Sequence, residues 1–99
     1  MKKTFVLTNP KIKTDRMLEA ARRDIKKYIK REQNKPLPEN VDYWDFDCKY
    51  GHNQDEAHVI HVSQINKSIE EAEKEELASF YLEIIAKPAV RTKKESSDI

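Results

Sequence analysis

Hydrophobic and polar positions change period along the chain, and the changes delimit six elements. Residues 4–8 (Thr-Phe-Val-Leu-Thr) are β-branched and aromatic and close at Asn9-Pro10, which predicts a strand. Met17, Leu18, Ala21, Ile25, Tyr28 and Ile29 then recur at three- and four-residue steps. That spacing predicts a helix over residues 15–33 with one apolar stripe. Thr14 or Asp15 is placed to accept its first orphan N–H groups. Asn34-Lys35-Pro36-Leu37-Pro38 ends it, because proline disfavours helix in the residue before it.

Residues 42–50 alternate strictly. Trp44, Phe46, Cys48 and Tyr50 point one way and Tyr43, Asp45, Asp47 and Lys49 the other, as in a half-buried strand. Gly51 and polar residues 52–56 predict a hairpin loop, with Gly51 the candidate for positive φ. Residues 57–62 alternate little, a pattern that suits a central strand. Ser63 is expected to cap a second helix whose buried stripe is Ile65, Ile69 and Ala72. Glu70, Glu71, Glu73, Glu75 and Glu76 make the rest of that helix acidic. Residues 79–87 form the last strand, with Phe80, Leu82, Ile84 and Ala86 on one face and Tyr81, Glu83 and Ile85 on the other. Pro88 is expected to end it.

The order strand, helix, strand, strand, helix, strand is the split β-α-β pattern of a ferredoxin-like α+β fold. It predicts a four-stranded antiparallel sheet with both helices on one face. Right-handed crossovers would put the first and third strands in the centre, with the aromatic-rich strand and the last strand at the edges. Residues 1–90 form one domain in this reading, followed by a polar tail, 91–99, expected to be disordered.

Four strings carry a resemblance: M-K-K-T-F-V-L-T-N-P-K-I-K at the start, V-D-Y-W-D-F-D-C-K-Y-G in the middle, then V-I-H-V-S-Q-I-N-K and F-Y-L-E-I-I-A-K-P-A-V-R-T-K-K. Over residues 1–94 the chain resembles a family of short bacterial proteins of unknown function, with W-D-F-D-C the most specific string. The resemblance implies a single-domain cytoplasmic bacterial protein and supplies no reaction, ligand or partner.

Composition narrows the function classes. Charged and hydrophobic residues each make up 37 % of the 99 residues, enough for one modest core. No apolar run nears the ~20 residues that span a bilayer, and the start lacks the apolar stretch of a signal peptide. A cytoplasmic protein without a membrane partner is therefore expected. One cysteine leaves no internal disulfide and suits a reducing compartment. One glycine excludes a glycine-rich phosphate cradle. The net charge of +1 conceals a segregation: residues 1–36 hold twelve Lys/Arg against four Asp/Glu, and residues 37–83 hold three against twelve.

Three sets of residues are candidates for chemistry. Arg16, Arg22, Arg23, Lys26, Lys27, Lys30 and Arg31 form a cationic ridge on the first helix, which Lys2, Lys3, Lys11 and Lys13 extend. Such a ridge binds polyanions without regard to sequence. It equally suits ion pairing with the acidic second helix, and the pI of about 7.8 lies below that of dedicated nucleic-acid binders. Tyr43, Asp45, Asp47, Tyr81, Glu83 and Ile85 mark the sheet face that the helices leave open, with Val6 and Ile60 beside them. An uncovered face is either a partner surface, foremost for a second copy, or simply solvated. Asp45, Asp47, Cys48, His52, His58 and His61 crowd the hairpin, but their spacing matches no structural zinc pattern. A His61–Asp45 or His61–Asp47 pair is the acid–base candidate, against a histidine merely hydrogen-bonded in a sheet.

The leading expectation is a non-catalytic binding or regulatory module, with no cofactor and no small-molecule ligand, that associates with protein or with itself through the open sheet face or edge. Nucleic-acid binding through the first helix is the alternative. A metal protein or acid–base enzyme built on the hairpin is the third reading.

Overall fold

A computed structural model of the protein describes residues 1–91. Its elements are β1 (Lys2–Val6), α1 (Thr14–Gln33), β2 (Tyr43–Gly51), β3 (His58–Ile60), α2 (Ile65–Lys74) and β4 (Ser79–Ala89), with a 3₁₀ turn at Val62–Gln64 before α2. The fold is α+β: one four-stranded antiparallel sheet and two helices, in an element order consistent at this level with a ferredoxin-like arrangement. The expected disordered tail lies outside the described residues except for Arg91, whose N–H donates to Asp42 Oδ2 at 2.7 Å.

The alternation in β2 decides which face is buried. Phe46, Cys48 and Tyr50 are buried and Trp44 half-buried, while Asp45 is half-buried and Asp47 exposed. On β4, Phe80, Leu82 and Ile84 are buried on the same side. They form one core with Phe5 and Leu7, with Leu18, Ala21 and Ile25 of α1, and with Ile65, Ile69 and Ala72 of α2. Both helices therefore cover one face of the sheet. Phe5 stacks on Phe80 with ring centroids 5.2 Å apart, and Tyr50 lies 5.7 Å from Phe80 on the other side.

The strand order is β1-β4-β2-β3, so β4 and β2 are central and β1 and β3 are the edges. This corrects the expectation that the first and third strands would be central. Both β-α-β units are still split, but by different strands: β4 lies between β1 and β2, and β2 between β3 and β4. Pairing length explains the choice. β2 and β4 pair from Tyr43↔Ala89 to Gly51↔Tyr81, whereas β3 is three residues long and Val59 is 75 % exposed. The little-alternating stretch 57–62 is thus an edge. Its second half turns away to begin the 3₁₀ turn.

Several local expectations are also corrected. Neither Thr14 nor Asp15 caps α1: the N-cap is Lys13, without a side-chain bond, and Thr14 Oγ1 donates to the Leu7 carbonyl at 3.3 Å. His61, not Ser63, caps the turn into α2, its Nδ1 accepting the Ser63 N–H at 3.1 Å. Gly51 does not have positive φ. What it supplies is room, since a Cβ there would lie 2.6 Å from the Ala57 Cα. The left-handed residues are Asn40 and Glu76, at φ 65° and 53°. Glu76 closes α2: its N–H bonds to the Glu73 carbonyl at 3.0 Å and that of Leu77 to the Ala72 carbonyl at 3.1 Å.

β4 continues through Pro88 rather than stopping before it. Ile84 exchanges hydrogen bonds with Met1, so the even residues of β4 direct their backbone polar groups toward the β1 side. By that parity Pro88 presents its missing N–H to an edge beyond the end of β1, where no ladder bond is lost.

Candidate functional site

α1 is long because twenty residues keep one apolar stripe against the sheet. The seven ridge cations occupy the remaining arc, all exposed except the half-buried Arg22. Among the described residues, no carboxylate lies within 4.0 Å of any of the seven. The neighbouring extensions differ: Lys3 pairs with Asp24 at 3.8 Å, while Lys11 and Lys13 precede the helix unpaired. The ridge is also arranged against its own stability. Arg22-Lys26-Lys30 and Arg23-Lys27-Arg31 form two rows of like charge at i, i+4. Each such adjacency costs about 0.2–0.5 kcal/mol.

The expected ion pairing between α1 and α2 is absent among the described residues. Instead a groove of about 690 Å³ separates them, with Arg22, Arg23 and Lys26 on one wall, Asn66 and Glu70 on the other and Ile25, Ile29 and Ile69 in its floor. Glu75, which follows the C-terminal end of α2, is engaged elsewhere: it stands 3.6 Å from His52 of the β2–β3 loop. Glu75 and Glu71, after burial itself, push the Tyr50 phenol above its usual range.

The open sheet face carries all six expected residues, Tyr43, Asp45, Asp47, Tyr81, Glu83 and Ile85, but it largely satisfies itself. Asp45 faces Lys87 across β2 and β4, and Glu83 lies between Lys49 and Lys2. Lys87 Nζ donates to Asp47 Oδ1 at 2.7 Å, which holds the ammonium above its usual range. Tyr81 is only 5 % exposed, and its hydroxyl donates to Glu83 at 2.8 Å; burial first and that bond second raise its pKa. Ile60 packs against the core instead of this face. The edges carry devices that discourage strand addition: Lys2 and Lys3 on β1, the shortness of β3, and Pro88 on the free end of β4. Past the end of β3, Asp45 Oδ1 accepts the Phe46 N–H at 2.8 Å and so occupies a ladder donor of β2.

The hairpin residues fall into two separate hollows: Asp45, Asp47, Cys48 and His61 line one, and His52 and His58 line another with Glu56, Glu71 and Glu75. Among the described residues no cluster of three or more His, Cys, Asp or Glu could hold a metal ion. His52 lies between Glu56 and Glu75, His58 stands edge-on to Tyr50 at 6.2 Å, and His61 Nδ1 is taken by Ser63. No hydrogen bond joins His61 to Asp45 or Asp47 among the described residues. Cys48 is 1 % exposed in the core, where burial, helped by Asp47 and Asp45, pushes its thiol up to about 11. A thiol held protonated is a poor nucleophile and metal ligand.

The match to known families falls on the whole described region and beyond. The model for the Family of unknown function (DUF6172) covers residues 1–95. The chain belongs to that family. No curated protein and no solved structure matches it. None of the described helices is long and apolar enough to cross a membrane.

One feature of this family member was missed from the sequence: a concave shelf where the end of the sheet meets the end of α1. It is lined by Gln33, Leu37, Asp42, Tyr43, Trp44 and Arg91. Trp44 Nε1 donates to the Lys35 carbonyl at 3.0 Å, and the Arg91 guanidinium lies 5.8 Å from the centre of the Tyr43 ring. Alternation correctly sends Tyr43 and Trp44 to opposite faces. It does not reveal that the end of α1 and Arg91 come to lie beside them, which the proline segment after α1 and the β2–β4 register set.

Proposed function

We propose that this protein binds the phosphate backbone of nucleic acid, without sequence readout, through the exposed face of α1. The observation that carries the reading is the set of seven ridge cations with no carboxylate within 4.0 Å among the described residues. Unpaired cations keep their condensing power for phosphate, and stacked like charges are a cost that a purely structural helix would shed. Glu70 faces Arg22, Arg23 and Lys26 across the groove without pairing with them among the described residues, and the acidic residues bring the whole chain to a net charge of +1. The bipolar distribution instead orients an approaching polyanion toward α1. Association through the sheet face or edge receives less support, since the face pairs its own charges and the edges resist strand addition. A bacterial cytoplasm is the compartment proposed, where a single buried thiol stays reduced.

Charge reversal tests the reading. The double variant Arg23→Glu/Lys27→Glu changes two exposed positions and should bind a labelled oligonucleotide at least ten-fold more weakly than the wild type at about 50 mM salt. Lys67→Glu, on exposed α2, should bind almost as the wild type does. Equal affinities of all three proteins would refute the assignment to α1.

A further inference from the structure

The ridge attracts phosphates but offers little surface for a base: Tyr28 is half-buried against the core, and the Arg31 guanidinium lies 5.7 Å from the centre of its ring. The shelf at the end of the helix supplies what the ridge lacks. Tyr43 is 37 % exposed, and Arg91 lies over its ring. The Arg91 main-chain N–H donates to Asp42 Oδ2 at 2.7 Å, which ties this stretch of backbone to the residue before β2. Trp44 forms a second wall, its orientation set by the bond to the Lys35 carbonyl. Gln33 and Asp42 offer an amide and a carboxylate, which can donate to and accept from the edge of a planar heterocycle. The volume, about 660 Å³, accommodates a nucleotide.

Position links the two surfaces. Gln33 lines the shelf, and Lys30 stands one helical turn before it on α1. Neighbouring turns of a helix bring side chains three apart within ~6 Å, close to the spacing of adjacent phosphates. A strand whose phosphates follow the ridge can therefore deliver a base to the shelf. A duplex cannot, because its bases are stacked and paired inside.

Resting on the reading of α1 above, we infer that the shelf of Tyr43, Trp44 and Arg91 is a base-stacking site, and that the ligand of this protein is single-stranded nucleic acid. Aromatic stacking discriminates poorly among bases, so the site adds strand selectivity without sequence selectivity.

The chain's one tryptophan is Trp44, so its emission reports on the shelf directly. The experiment titrates the full protein with a single-stranded dodecamer and with its duplex, following both the anisotropy of a label on the DNA and Trp44 emission. The expected result is that the single strand alters Trp44 emission with the same midpoint as the anisotropy, while the duplex leaves the emission unchanged. Tyr43→Ala should weaken single-strand binding about ten-fold and duplex binding little, and Tyr43→Phe should restore the single-strand value. If the strand binds in a salt-dependent manner with unmoved Trp44 emission, or with wild-type affinity in Tyr43→Ala, the shelf is overturned and α1 stands. If neither DNA binds, the reading of α1 fails and the shelf falls with it.

Discussion

Two neighbouring side chains show the alternate faces of β2 directly. Phe46 is 7 % exposed in the core, and Asp45, one residue earlier, turns its carboxylate back to the Phe46 N–H. Truncating the ring removes its burial and leaves a cavity under α1. Phe46→Ala should therefore cost about 3–5 kcal/mol in denaturant unfolding, and a loss below about 1 kcal/mol would contradict its place in the core. A second residue-scale consequence concerns alkali. Cys48 keeps its proton to about 11 in the folded protein, against an ordinary value of 9.0. Above about pH 9 the unfolded thiol ionises first, so stability falls as pH rises through that window. Tyr50 and Tyr81, both raised by burial, act in the same direction at higher pH. Urea midpoints should be lower at about pH 10.5 than at pH 8, and replacing Cys48 with alanine should flatten the part of the decline between 9 and 11.

Among the elements, α1 is where the proposed binding is set against stability. Lys27 stands at i+4 from Arg23 and at i−4 from Arg31. Lys27→Glu turns the repulsions with Arg23, Lys30 and Arg31 into attractions and the attraction to Asp24 into a repulsion, a net gain of about 1 kcal/mol. The variant should melt about 4–8 °C higher by calorimetry while binding nucleic acid more weakly. A lower melting temperature would mean that Lys27 has a structural partner. This element was legible from its period, as were the faces of β2 and β4, because burial of one stripe or one face writes itself directly into residue spacing. The caps and strand ends were less legible. Thr14 and Ser63 have the side chains of N-caps, yet Thr14 bonds to a carbonyl of β1's extension, and His61 reaches the α2 turn first. Pro88 reads as a strand terminator until the register shows which way its nitrogen faces.

At the scale of the molecule, the strand order was the least legible property. Periodicity states that a strand has a buried face, but the choice of centre depends on pairing length. The aliphatic stretch 57–62 misleads, because only three of its residues pair, and they pair at an edge. The proposed binding surface was legible only as a charge excess. That the α1 cations lack carboxylate neighbours among the described residues, and that the sheet face neutralises itself through Lys87–Asp47 and the Lys2–Glu83–Lys49 row, required coordinates. The central claim is that phosphate neutralisation by α1 drives binding, and counterion release measures it directly. Anisotropy of a labelled single-stranded oligonucleotide should show affinity falling about a hundred-fold between 50 and 200 mM salt, the slope expected when roughly five phosphates are neutralised. Affinity that does not change over that range, or no binding at 50 mM, would contradict the account.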